Sequence, residues 1–183
     1  MDLYKKTEEF MIDICTKTGK LRDIEHQLNT AGWVKKLKPD ADEALLTAAV
    51  AHDIERALFG DWKHGSMDSE LLTMHQEFSA TIVGMFLTKE GASLDFIDRV
   101  QHLVHAYEIG GDNDQNVLCD ADCLSFFEQK ALRQVKNYLK NGRMKEWMKE
   151  KLDYMFNTRL KSSEAKRIAK VWYQDAKDEL EKM

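Results

Sequence analysis

The sequence predicts an all-α fold in a single domain over residues 1–183, and three observations predict it. One proline and nine glycines leave few positions that break a helix. Leu, Ala, Glu, Lys and Met, all strong helix formers, recur at three- and four-residue spacing. Strict alternation of apolar and polar residues, the mark of a strand, is nearly absent. A chain of this length buries a sizeable single core, and no repeat or low-complexity linker divides it.

Taken in order, about Asp2 to Thr16 is amphipathic, with Leu3, Phe10, Met11 and Ile14 on its apolar side and no evident chemistry. A second helix runs from Leu21 to Leu37 and stops at Lys38-Pro39, where proline disfavours helical geometry in the residue before it. His26 shares a stripe with Thr30, Trp33 and Leu37, which points it inward. A core histidine bonded to a carbonyl would look the same. Asp40-Ala41-Asp42-Glu43 then supplies an N-cap and first-turn acids. The helix they start carries Ala41, Ala44, Leu45, Ala48 and Ala49 inward and places His52-Asp53 in its last turns. A carboxylate delivered by a buried helix needs a counter-charge, most simply a metal ion. Next comes a glycine-bracketed loop, Phe59 to Ser66, placed to border a pocket. Arg56, Lys63 and His64 beside it are candidate contacts for phosphate oxygens, Arg56 best because its donors form a fixed fork.

A fourth helix, Asp68 to Lys89, aligns Leu71, His75, Phe78, Ile82 and Met85, so His75 is expected inside. A fifth, Ser93 to Tyr107, has Leu94, Ile97, Gln101 and Val104 on one side and Asp95, Asp98, His102 and His105 on the other. That second face is either a wet surface or presents imidazoles to a cavity, His105 being favoured because it lies near the Gly110-Gly111 break. The stretch from Val117 to Phe127 places Asp120 and Asp122 in an apolar helix; at this spacing the two cannot face the same way. Helices with apolar stripes fill about 128–183 and are expected to pack on the motif-bearing core, about 21–127.

The net charge of −5 gives no general attraction for nucleic acid or an anionic membrane, so a nucleic-acid partner is disfavoured. No apolar run approaches the ~18 residues of a membrane span, and three cysteines without secretory context fit a reducing, cytoplasmic setting. Cys119 and Cys123, one turn apart, read as small core residues.

In chain order the candidates are His26, His52-Asp53 and Asp122, with His75 and His102 or His105 before the last. This order resembles the HD-domain superfamily of metal-dependent phosphohydrolases, in its small bacterial form, over about Leu21 to Phe127. The helix from Ala41 into His52-Asp53-Ile54 is similar to that family's entry to its doublet. Asp120-Ala121-Asp122-Cys123-Leu124 is similar to its Asp-Ala-Asp-Arg-Leu, with Cys123 in place of the arginine. The resemblance implies an HD-type helical bundle that hydrolyses a phosphate ester or anhydride of a small nucleotide-like molecule by attack of a metal-bound water. His26, His52, Asp53 and Asp122 would be ligands, and His75 and His105 would either complete a second site or, with one ion, contact the substrate phosphate. Asp53, Glu55 and Asp120 would orient water or manage protons. Arg56, Lys63, His64 and His102 would hold the substrate. Mixed nitrogen and oxygen ligands suit Mn, Fe, Co, Ni or Zn, with Mg also admitted, at one or two ions per chain. The resemblance also permits a di-iron oxygenase on the same scaffold or a non-catalytic metal- or nucleotide-binding module, and it leaves a homo-oligomer open.

Overall fold

Nearly every side chain of α3 (Glu43–Ala51) is buried, and that makes it the central helix. Ala44, Ala48, Ala49 and Ala51 let neighbouring backbones come close, and Asp42 caps its start by accepting from the Leu45 amide at 2.9 Å. Around it pack α1 (Leu3–Lys17), α2 (Leu21–Leu37), α6 (Leu94–Val104) and α7 (Asn113–Phe126). The short α4 (Glu55–Phe59) leads to α5 (Ser69–Lys89), which lies along α6. The structure is a computed structural model and describes residues 2–60, 69–140 and 144–182. Lys63 and His64 of the expected pocket loop lie outside the described residues.

The C-terminal third closes one side. α7 runs on through a π-helical turn (Phe127–Ala131) into α8 (Leu132–Lys140). α9 (Lys145–Tyr154) likewise continues through a second π turn (Met155–Arg159), and α10 (Ser163–Glu181) packs back on α8, α9 and the first π turn. A π turn admits an extra residue and re-aims the side chains that follow. Here the first carries Lys130 and the second Met155 and Arg159, all of which face one cavity. Among the described residues there is no strand, and no helix is long and apolar enough to cross a membrane. The all-α expectation holds.

Three local expectations need correction. His52-Asp53 is not inside the last turns of a helix: α3 ends at Ala51, and Ile54, Arg56 and Ala57 bond back only three residues in a tight turn into α4. The cause is visible in His52, whose Nδ1 donates to the Ala49 carbonyl at 2.8 Å, taking up an acceptor that a helix end leaves open. The α5 stripe is rotated from the expected one. Leu72, His75, Gln76, Ser79, Ala80, Val83 and Leu87 face inward, whereas Phe78 and Met85 are exposed. Finally, α6 stops at Val104 rather than Tyr107, and Leu94, expected on its inner side, is exposed.

Candidate metal centre

Four side chains from three parts of the chain meet below α3. His26 comes from α2, His52 and Asp53 from the α3–α4 turn and Asp122 from α7. All are buried. His26 Nε2 lies 3.0 Å from Asp122 Oδ1 and 3.7 Å from Asp53 Oδ2. His52 Nε2 lies 3.4 Å and 3.8 Å from the same two oxygens.

Hydrogen bonding on the far side of each ring fixes which atom faces the centre. Ser125 donates its one hydroxyl proton to the His26 carbonyl at 3.0 Å, so its oxygen accepts from His26 Nδ1 at 2.8 Å. A neutral His26 therefore presents a bare Nε2. Burial first, and then the Lys130 ammonium, push His26 down to about 4, so it is neutral at pH 7. His52 donates from Nδ1 to Ala49, and its buried Nε2 has no hydrogen-bond partner. Bare nitrogens aimed at carboxylate oxygens repel unless a cation stands between them.

The spacing fits such a cation. Ligand atoms about 2.0–2.2 Å from a metal lie roughly 2.8–3.6 Å from each other at octahedral or tetrahedral angles, which the 3.0 and 3.4 Å separations from Asp122 match and the 3.7 and 3.8 Å separations from Asp53 slightly exceed. Burial opposes ionisation of both acids, but Arg56, then His52 and His75, hold Asp53 well below the ordinary carboxylate range. Arg159, then His26 and His52, do the same for Asp122. Burial would lower His52, but the Asp53 and Asp122 carboxylates outweigh it and raise the imidazole. His26, His52 and Asp53 could together hold a metal ion.

Asp53 also faces a second group. Its Oδ1 accepts from the Tyr107 hydroxyl at 2.7 Å and lies 3.0 Å from His75 Nε2, which also contacts Tyr107. His75 Nδ1 donates to Glu55, and Ser79 donates to the other Glu55 oxygen at 2.5 Å. Burial lowers the imidazole, but Asp53 and Glu55 outweigh it and lift His75 to about 9. Asp53, Glu55 and His75 could also hold an ion together. Glu108 Oε1 is 3.7 Å from His75 Nε2, while its Oε2 is buried without a hydrogen bond, 3.6 Å from Arg159 Nη1. Arg159 donates from Nη2 to Asp122 Oδ2 at 2.7 Å and from Nε to the Glu108 carbonyl at 3.2 Å. Arg56 Nη1 stands 3.2 Å from Asp53 Oδ2.

The four-residue set thus comes together as the sequence suggested, with His75 and Arg56 against it. Others do not. His105 is exposed just past the end of α6 and takes no part in the cluster, because the turn that tucks Tyr107 and Glu108 inward leaves it outside. His102 is exposed and pairs with Asp112 at 2.8 Å, so that face of α6 is the wet surface. Asp120 is buried but faces away from Asp122, accepting from the Lys161 and Ser162 amides at 2.5 and 3.0 Å; it anchors chain and handles no proton at the centre. Glu55 is spent on His75 and Ser79 and orients the ring. Cys119 and Cys123 are buried core residues. Tyr107, Glu108 and Arg159 were not anticipated. The one hint was Tyr107-Glu108 standing just before the glycine pair; for Arg159, an arginine four residues after Met155 in the tail, no spacing marked it out.

The cluster opens into a cavity of about 740 Å³, lined among others by His26, Asp53, Arg56, His75, Glu108, Asp122 and Arg159. Fold and site together define an all-α protein whose buried His and Asp side chains could hold a metal ion beside a ligand-sized cavity. A family described as a domain of unknown function, DUF4202, matches residues 12–169, and the chain belongs to it. No curated protein and no solved structure matches.

Proposed function

We propose that this protein is a metal-dependent phosphohydrolase of HD type, acting on a phosphate ester or anhydride of a small nucleotide-like molecule. The observation that carries the reading is the meeting of His26, His52, Asp53 and Asp122, with the unpartnered His52 Nε2 aimed at both carboxylates. When bound, a divalent ion such as Mn, Fe, Co, Ni, Zn or Mg would polarise a phosphoryl oxygen and lower the pKa of a water ligand toward about 7.

The chain's own residues supply the rest. His26, His52, Asp53 and Asp122 hold the ion, with the ring orientations set by Ser125 and the Ala49 carbonyl. Arg56 and Arg159 line the cavity beside the two acids and provide forked donors for phosphoryl oxygens. Arg159 brings a guanidinium to Asp122 although Cys123 stands where the resembling proteins carry arginine. Glu108, which lines the cavity and keeps one oxygen free of hydrogen bonds, takes the proton of the attacking water. His75, protonated at neutral pH and held between Asp53 and Glu55, favours the charge that builds on the phosphoryl group.

The test is metal content and phosphate release together. Wild-type protein purified without chelator should carry metal and release phosphate from a panel of nucleoside mono-, di- and triphosphates with Mn, Mg, Co or Ni. His52→Ala and Asp53→Ala should lose both, and metal content unchanged in those variants would refute the assignment. A second ion is favoured by one observation, the sharing of Asp53 between two three-residue groups. Two ions per chain by elemental analysis would establish it, and oxygen uptake with iron and substrate would turn the paired site toward oxygenase chemistry.

A further inference from the structure

The cavity carries more positive charge than its metal cluster requires. Arg56 and Arg159 are matched by Asp53, Asp122 and Glu108, but the remaining wall brings Lys20 and Arg22 from the start of α2, Lys130 and Arg133 from the first π turn and α8, and Lys151 from α9. Against these five cations the cavity lining sets one further carboxylate, Asp23. In a chain of net charge −5 such a gathering runs against the average.

Four of these cations, Arg22, Lys130, Arg133 and Lys151, have little carboxylate close by. Among the described residues neither Arg22 nor Arg133 forms an ion pair. The Lys130 side chain is 10 % exposed, and Asp23 stands 3.8 Å from its nitrogen, at the limit of an ion pair. Lys151 donates to the neutral Gln134 Oε1 at 3.1 Å and lies over the Phe126 ring at 5.3 Å. Burial and then the Arg56 guanidinium depress both lysines, Lys151 to about 8. Lys20, at the N-cap of α2, makes no side-chain cap, so the positive end of that helix adds to the same wall. Cations that outnumber the acids along one cavity wall are stabilised by an anion between them.

We infer that Arg22, Lys130, Arg133 and Lys151 form a second anion subsite, so that the molecule bound carries a further phosphate or polyphosphate group besides the one at the metal cluster. A volume of about 740 Å³ holds a nucleotide-sized compound with phosphate groups at two places. The identity of the first group rests on the hydrolase reading; the second subsite does not.

Calorimetry of inorganic tripolyphosphate on the full-length protein stripped with EDTA tests the subsite without catalysis. Tripolyphosphate should bind more tightly than sulfate, and Arg133→Gln and Lys151→Met should each weaken it by about tenfold or more. Both variants should keep the wild-type Mn content and helical circular dichroism. Tripolyphosphate binding no tighter than that of sulfate, or unchanged in the Arg133→Gln/Lys151→Met double variant, would overturn the inference. Failure of every hydrolysis assay would instead remove the hydrolase reading and leave this binding result standing.

Discussion

Arg159 shows how one side chain holds the site together. It is 3 % exposed and touches the Asp122 carboxylate, the Glu108 backbone carbonyl and, more distantly, the Glu108 carboxylate. Replacing it by methionine strands two buried acids without their cation, which costs about 3–5 kcal/mol. Urea unfolding of metal-free protein should record that loss, and excess Mn should restore part of it by supplying positive charge to Asp122. Glu108 behaves differently, because Glu108→Gln keeps the shape and removes only the proton acceptor. Its expected effect is a fall in turnover of about 10²–10⁴ with metal content and KM little changed. The two kinds of residue also differ in how readable they were. His26, His52, Asp53 and Asp122 are polar groups in apolar helical contexts, so burying them demands an explanation that the sequence itself poses. Tyr107, Glu108 and Arg159 are turned inward by the irregular turn after α6 and by a π turn, and the 3.6-residue period carries no information there.

Among the elements, α7 does two jobs with two faces. Asp122 looks into the metal centre, whereas Asp120, two residues earlier, reaches the opposite way and holds the Lys161 and Ser162 amides just before α10. The segment so anchored follows directly on Arg159, which makes Asp120 a positioning residue for that guanidinium. Asp120→Ala frees two backbone donors and should destabilise by about 1–3 kcal/mol while metal content stays at the wild-type level. Asp122→Ala should do the reverse to metal and abolish its retention. Equal metal loss in both would contradict the division between the two faces. Element identity was legible from periodicity, as α2 and the Asp42-capped start of α3 illustrate. Which side of α5 faces inward was not: with aromatic, Met and small residues around the whole helix, the stripe through Phe78 and Met85 looked as apolar as the buried one through Ala80 and Val83.

At the scale of the whole molecule, stability and ligand binding are linked through the cavity's charge. Lys151 is pushed from 10.5 to about 8 in the folded chain, chiefly by burial and then by Arg56. Between those values the unfolded chain binds more protons than the folded one, so this group makes stability rise with pH across about 8–10.5. Below pH 8 its charge is present in both states, and the penalty of holding it desolvated is fully felt. Lys151→Met should therefore stabilise the anion-free protein most at pH 7, with the advantage over wild type shrinking as pH passes from 8 toward 10.5. Each 1 kcal/mol moves the melting temperature by about 2–4 °C in a protein of this size, so paired melting curves resolve the trend. Tripolyphosphate should reverse the order at neutral pH: it stabilises the wild type, whose ammonium it meets, and stabilises Lys151→Met less. At pH 8 the wild type should also take up protons as the anion binds, because a nearby negative charge lifts a half-protonated amine. Calorimetry in buffers of different ionisation enthalpy measures that uptake directly, and a proton count that does not fall in Lys151→Met would remove Lys151 from the anion's surroundings.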